Sequence, residues 1–155
     1  MINLAQVKNR ENSVKAKEYN GGEIRKIKLR EGHQKSENYD YYVSEDGRVF
    51  RYSIRGDKFK EMFYHMAHGY KRVRITDTSD DTRRYYRVGR QVAKCFVPKE
   101  KEEYDIINHI DGDKTNDKAD NLEWCNTSIN TQHAYDNGLI DDPGGWESTP
   151  YKDRY

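Results

Sequence analysis

Hydrophobic and polar positions change rhythm several times along this chain. Over residues 41–50, Tyr-Tyr-Val-Ser-Glu-Asp-Gly-Arg-Val-Phe, aromatic and β-branched side chains flank the turn Ser44-Glu-Asp-Gly47. Such a run, closed by a glycine, predicts a β-hairpin. Residues 70–75 alternate: Val73 and Ile75 share one face with Lys71, while Tyr70, Arg72 and Arg74 share the other. After a loop rich in Asp, Ser and Thr over 77–82, the chain resumes as Arg-Arg-Tyr-Tyr-Arg-Val over 83–88. These two strands predict a sheet with one apolar side and one side of Arg and Tyr. The period then lengthens. Val88, Val92 and Phe96, with Ala93 beside them, sit at helical spacing and predict a short amphipathic helix stopped by Pro98.

Beyond a charged linker at 99–103, residues 104–108 predict a strand, 111–121 a polar loop and 122–125 a second short strand. Residues 127–137 predict a helix, capped by Asn126 or Thr127 at its start and ended by Gly138. Before residue 39 there is little periodicity. Residues 14–19 could form a turn or two of helix and 24–29 alternate only weakly, so 1–38 reads as a charged, partly ordered arm. The expected organisation is therefore this arm, a β-rich region with one short helix over 39–100, a compact strand–loop–strand–helix unit over 101–139, and an extended tail over 140–155.

Composition sharpens that picture. The chain has 155 residues, 34% hydrophobic against 35% charged, a sparse supply of core that 13 Tyr partly offset by burying their rings while keeping their hydroxyls wet. The net charge of +1 hides an asymmetry. Residues 48–101 carry 15 Lys and Arg against 6 Asp and Glu, and residues 102–138 carry 2 against 9. A polyanion-gripping surface beside a cation-attracting one would look like this. Cys95 and Cys125 are too few for a disulfide scaffold and form no C-x-x-C pair, so two reduced thiols are expected. No apolar run approaches the roughly 18 residues that span a bilayer. A soluble, cytoplasmic protein without a membrane partner is expected.

The acidic segment holds the candidate chemistry. Asn108 and His109 end a strand, and neighbouring side chains of a strand point to opposite sides, so a twist there lets both reach one site. Asn130 lies in the first turn of the last helix and can close that site from above. Amide oxygens from the two Asn, with phosphate oxygens and waters, make an all-oxygen shell suited to Mg²⁺. An imidazole ordinarily titrates near pH ~6.5, so His109 is a natural general base for a water attacking phosphorus.

The run NHIDGDKTNDKADNLEW over 108–124, with the following NTQHA, resembles the HNH (ββα-metal) nuclease motif in its homing-endonuclease version. The upstream runs YVSEDGRVF, GYKRVRI and RVGRQVAKCFVP resemble the region preceding that motif in phage and intron-encoded members. The resemblance spans residues 39–139. It implies an α+β fold, a small antiparallel sheet region followed by a ββα-metal nuclease unit. It also implies His109 as general base, Asn130 and Asn108 as metal ligands, and Asn121 as the residue that pins the loop and orients the base. Asn108 stands where many members carry Asp or His. His133, one turn after Asn130, could reach phosphate or the leaving group. Asp111 and Asp113 are expected to shape the loop, Asp117 and Asp120 to be solvated, and Leu122 and Trp124 to pack under the site.

Together these imply an endonuclease dependent on Mg²⁺ or Mn²⁺ that hydrolyses phosphodiester bonds in double-stranded DNA, with 5′-phosphate and 3′-hydroxyl ends. Arg72, Arg74, Arg83, Arg87 and Arg90 are the expected DNA contacts, through phosphate neutralisation. A monomer would nick; a homodimer could cut both strands. The alternative is a non-catalytic DNA-binding protein that keeps the fold.

Overall fold

The computed structural model describes residues 13–15 and 23–138. Strands β1 (Ser13–Lys15), β2 (Glu23–Lys26), β3 (Tyr39–Ser44), β4 (Val49–Ser53) and β5 (Lys58–Glu61) make a five-stranded antiparallel sheet in that order. Strands β6 (His65–Ala67), β7 (Tyr70–Thr76) and β8 (Arg83–Arg87) make a three-stranded sheet, and β8 runs directly into helix α1 (Val88–Phe96). A two-stranded unit, β9 (Ile106–His109) against β10 (Leu122–Cys125), is followed by helix α2 (Thr127–Asp136).

Helix α1 is the hub, because its apolar stripe is needed on every side. Val88, Val92 and Ala93 are buried and share one core with Tyr41 and Val43 of β3, Val49 of β4, Val73 and Ile75 of β7, Tyr86 of β8 and Leu122 of β10. Burying a Val or Ile side chain contributes about 1.5–3 kcal/mol, so a chain this polar concentrates its stability here. The helix ends where the backbone of Val97 turns extended ahead of Pro98. Trp124 packs against this core and donates from Nε1 to the Val97 carbonyl at 3.1 Å, tying the nuclease-like unit to the end of α1.

The hairpin at 41–50, the alternation of β7 and the span of α1 agree with the sequence pattern. The arm does not extend to residue 38: Ile24 and Ile27 are buried, and β2 pairs with β3 within the sheet. Only the first part of the weak alternation at 24–29 is strand, within Glu23–Lys26, and its polar positions are charged rather than neutral. Of the helical turn expected over 14–19, Ser13–Lys15 is a strand instead, and the remainder lies outside the described residues, as does the tail over 140–155. Strands β5 and β6 carry no apolar alternation; Phe59 of β5 packs on Tyr42 and Tyr52, and His65 of β6 meets Tyr85 edge-on. Among the described residues no helix is long and apolar enough to cross a membrane.

Candidate nuclease site

The polar loop between β9 and β10 is held by its own side chains. Gly112 adopts φ +75°, a left-handed conformation that glycine takes without strain, and donates its N–H to the His109 carbonyl at 2.9 Å. Asn121, buried, accepts from the Asp111 N–H at 3.1 Å and donates from Nδ2 to Asp111 Oδ1 and the Asn116 carbonyl, both at 2.9 Å. Asp113 accepts from the N–H and hydroxyl of Thr115. The amides of Asn116 and Asn121 hold the Asp111 carboxyl below its ordinary range, and the Thr115 bonds do the same for Asp113. Asp111 and Asp113 therefore shape the loop, as expected. Asn121 fixes the loop that leaves His109.

His109 is 7% exposed. Its Nε2 lies 2.8 Å from Asp117 Oδ1, and its ring tilts against Tyr70 with centroids 5.8 Å apart. Asp117, expected in solvent, is buried; Asp120, also expected there, is exposed. The loop folds back between the β3–β4 turn and the start of α1, which delivers Asp117 to the imidazole. The Ala119 N–H donates to the Glu45 carbonyl at 2.8 Å, and a Cβ on Gly47 would stand 3.0 Å from the Asp117 Cβ.

A recess of about 30 Å³ opens at this pair, lined by Tyr70, Lys71, Arg87, Gly89, Arg90, Ile107, His109, Asp117 and Asn130, among others. A water occupies about 10–15 Å³ in such a measure, so the recess admits small groups rather than a side chain. His109 and Asn130 thus come together from different elements. Asn108 does not line this recess; its Nδ2 donates to Glu123 Oε1 across the β9–β10 pair at 2.7 Å. His133 does not line the recess; its Nε2 pairs with the Ile110 carbonyl at 2.8 Å, fastening α2 to the strand end. The helix needs that fastener, since none of its residues is fully buried; Asn126 caps it by accepting from the Ile129 N–H at 2.9 Å.

The five expected DNA-contacting arginines divide. Arg74 and Arg83 are exposed on the sheet. Arg72 is half-buried, its guanidinium 3.9 Å from the Tyr85 ring centroid. Arg87 is buried over Tyr70 at 4.0 Å and belongs to the recess wall rather than to an open face. Arg90, on α1, donates to the Asp105 carbonyl at 2.8 Å and also reaches the recess. Lys71, assigned by alternation to the apolar face, joins them there. Sequence reasoning missed Tyr70, Lys71, Gly89 and Asp117. A glycine in the first turn of a helix, where no positive φ requires one, was the available signal for a close approach. Neither thiol competes for the chemistry: both cysteines are free, and burial pushes the Cys125 thiol up to about 12.

No protein-family model matches the chain. It is 33% identical over 109 residues to a Bacillus subtilis SPbeta prophage protein named for an HNH homing endonuclease, YosQ, covering 67% of this chain. It is also 49% identical over 55 residues, and 33% over 100 residues, to two uncharacterized HNH endonucleases of Acanthamoeba polyphaga mimivirus. Those matches cover 35% and 64% of this chain. The structure superposes on the HNH homing endonuclease I-HmuI, solved for its DNA binding and cleavage, with a TM-score of 0.56 at 30% identity over 77% of this chain.

By sequence and by fold, the chain is similar to the HNH endonucleases.

The match spans 14%, 28% and 57% of the three curated relatives and 61% of I-HmuI. The chain is α+β, and its ββα unit of β9, β10 and α2 follows the β-rich region and α1.

Proposed function

We propose that this HNH chain is a divalent-metal-dependent DNA endonuclease of the homing-endonuclease kind. One observation carries the reading: His109 and Asn130 share a recess whose other walls include Lys71, Arg87 and Arg90. A scissile phosphate brought there meets cations on one side and an imidazole on the other. His109 takes a proton from the attacking water as its oxygen bonds to phosphorus. The P–O3′ bond breaks and the departing 3′ oxygen takes a proton from solvent water, leaving a 5′-phosphate and a 3′-hydroxyl. Lys71, Arg87 and Arg90 offset the growing negative charge and orient the phosphate.

The donor chemistry suits a hard ion such as Mg²⁺ or Mn²⁺. Asn130 offers an amide oxygen, and Asn108 keeps its amide carbonyl because its NH₂ group is spent on Glu123. The Glu123 carboxylate brings to Asn108 the charge a neutral amide lacks, and the buried Asp117 Oδ2 adds negative potential. Asn130, in the recess wall, would hold the ion; Asn108, which does not line the recess, would be its second ligand from the end of β9. When bound, such an ion neutralises charge on the phosphoryl oxygens and the departing 3′ oxygen.

Double-stranded DNA is the substrate this reading assigns, gripped by the Arg and Tyr face of β7 and β8, which runs through Tyr70 and Arg87 into the recess. One site cuts one strand, so a nick is the product of a monomer and a double-strand break needs two copies. The viral and prophage relatives suit action in the cytoplasm of a host cell. A second reading, a DNA-binding protein without catalysis, draws on Asn108 standing where a charged ligand is usual. Supercoiled plasmid separates the two. Conversion to open circles with Mg²⁺ or Mn²⁺, stopped by chelator, is expected of the nuclease. Intact plasmid with every ion, beside a salt-sensitive gel shift, would leave only the binder.

A further inference from the structure

Resting on the nuclease reading, we propose that Asp117 is the positioning residue that holds the His109 imidazole in its proton-accepting tautomer. An ionised carboxylate only accepts hydrogen bonds, so the 2.8 Å contact puts the proton on Nε2 and leaves Nδ1 bare to receive one. Both partners are buried, His109 at 7% and Asp117 at 4% exposure, which shields the bond from competing water.

Three further features set this contact apart from ordinary loop packing. Asp117 Oδ2 is buried with no hydrogen-bond partner among the described residues, a cost that Ser, with a single side-chain oxygen, would avoid if one acceptor were the only requirement. Gly89 is the residue that leaves room for the pair: a Cβ there would stand 2.5 Å from Asp117 Oδ1 and 3.3 Å from His109 Nε2. Asp117 is also clasped from outside by the β3–β4 turn through Gly47 at φ +84°. Two glycines on separate elements thus frame one carboxylate. Its geometry is over-determined, as the orientation of a general base must be.

The test combines tautomer, rate and affinity in the full chain. In imidazole-¹⁵N NMR spectra, His109 of the wild type should show the Nε2–H tautomer. Asp117→Asn, nearly isosteric and able to donate, should shift it toward Nδ1–H. The same variant should lower the single-turnover cleavage rate at saturating DNA about a hundredfold or more, with DNA affinity within about twofold of wild type. Gly89→Ala, which leaves Asp117 in the chain but displaces its carboxylate, should do likewise, and it decides the matter should Asp117→Asn fail to fold. An Nδ1–H tautomer in the wild type, or an unchanged tautomer or cleavage rate in both variants, overturns the proposal. If the wild type cuts no DNA with any ion, the nuclease reading fails by itself, and the tautomer comparison still decides what Asp117 does.

Discussion

Single residues around the recess divide by whether they hold the loop or face the reaction. Asn121 holds: of its three side-chain hydrogen bonds, two satisfy backbone groups of the 110–121 loop and the third fixes the Asp111 carboxylate. Asn121→Ala should therefore cost about 2 kcal/mol of stability, read from the urea midpoint at unchanged slope. Asn130 faces: it is half-buried in the recess wall. Asn130→Ala should leave the urea midpoint within about 0.5 kcal/mol while raising the Mg²⁺ concentration needed for cleavage; an unchanged metal requirement would remove Asn130 from the ion. The chain declared the His109 and Asn130 pair through residue type and order. It did not declare Asp117, because the partner of a side chain on an irregular loop depends on how that loop returns, and no periodicity encodes the return.

At the scale of elements, α1 and α2 are opposites. Helix α1 was legible from its apolar spacing because it is the core. Helix α2 was legible only from its cap and closing glycine, and it buries no residue fully. Asn126→Ala should cost about 1 kcal/mol, and amide exchange should quicken in α2 while α1 keeps its protection. Equal change in both helices would contradict this division. The acidic loops add a pH dependence of defined sign. Bonds from the Ser79 hydroxyl and N–H lower the Asp77 carboxyl to about 2, and Asp111 and Asp113 are lowered by their own loop partners. A carboxylate lowered in the folded state stabilises fully above its unfolded value, near ~4, and loses that contribution as pH falls toward the folded one. Stability should thus be level from these groups above pH ~5 and fall between ~4 and ~2, with the fall reduced in Asp77→Asn, measured by thermal unfolding across pH. Strand β2 was nearly invisible in sequence because its polar positions are charged, and β5 and β6 because they carry no apolar alternation.

For the whole molecule, the charge asymmetry of the sequence becomes a spatial arrangement. Arg72, Arg74, Arg83 and Arg87 of the basic region share the sheet face that ends at Tyr70, and the acidic loop reaches the same recess through Asp117. Composition announced both poles but not their meeting. Replacing the exposed Arg74 and Arg83 by Ala should weaken DNA binding and reduce the log–log salt slope by about 0.9 for each phosphate no longer neutralised, whereas Arg87→Ala should also slow cleavage of bound DNA. An unchanged salt slope in both exposed variants would move the DNA off this face. The claim on which everything converges is that the buried imidazole performs the chemistry while the basic sheet performs the binding. The most direct measurement is single-turnover cleavage of a saturating DNA duplex by His109→Ala beside the wild type, with affinity taken from the same titration. A rate reduced by about a hundredfold or more at unchanged affinity is the predicted result; cleavage at the wild-type rate would contradict it.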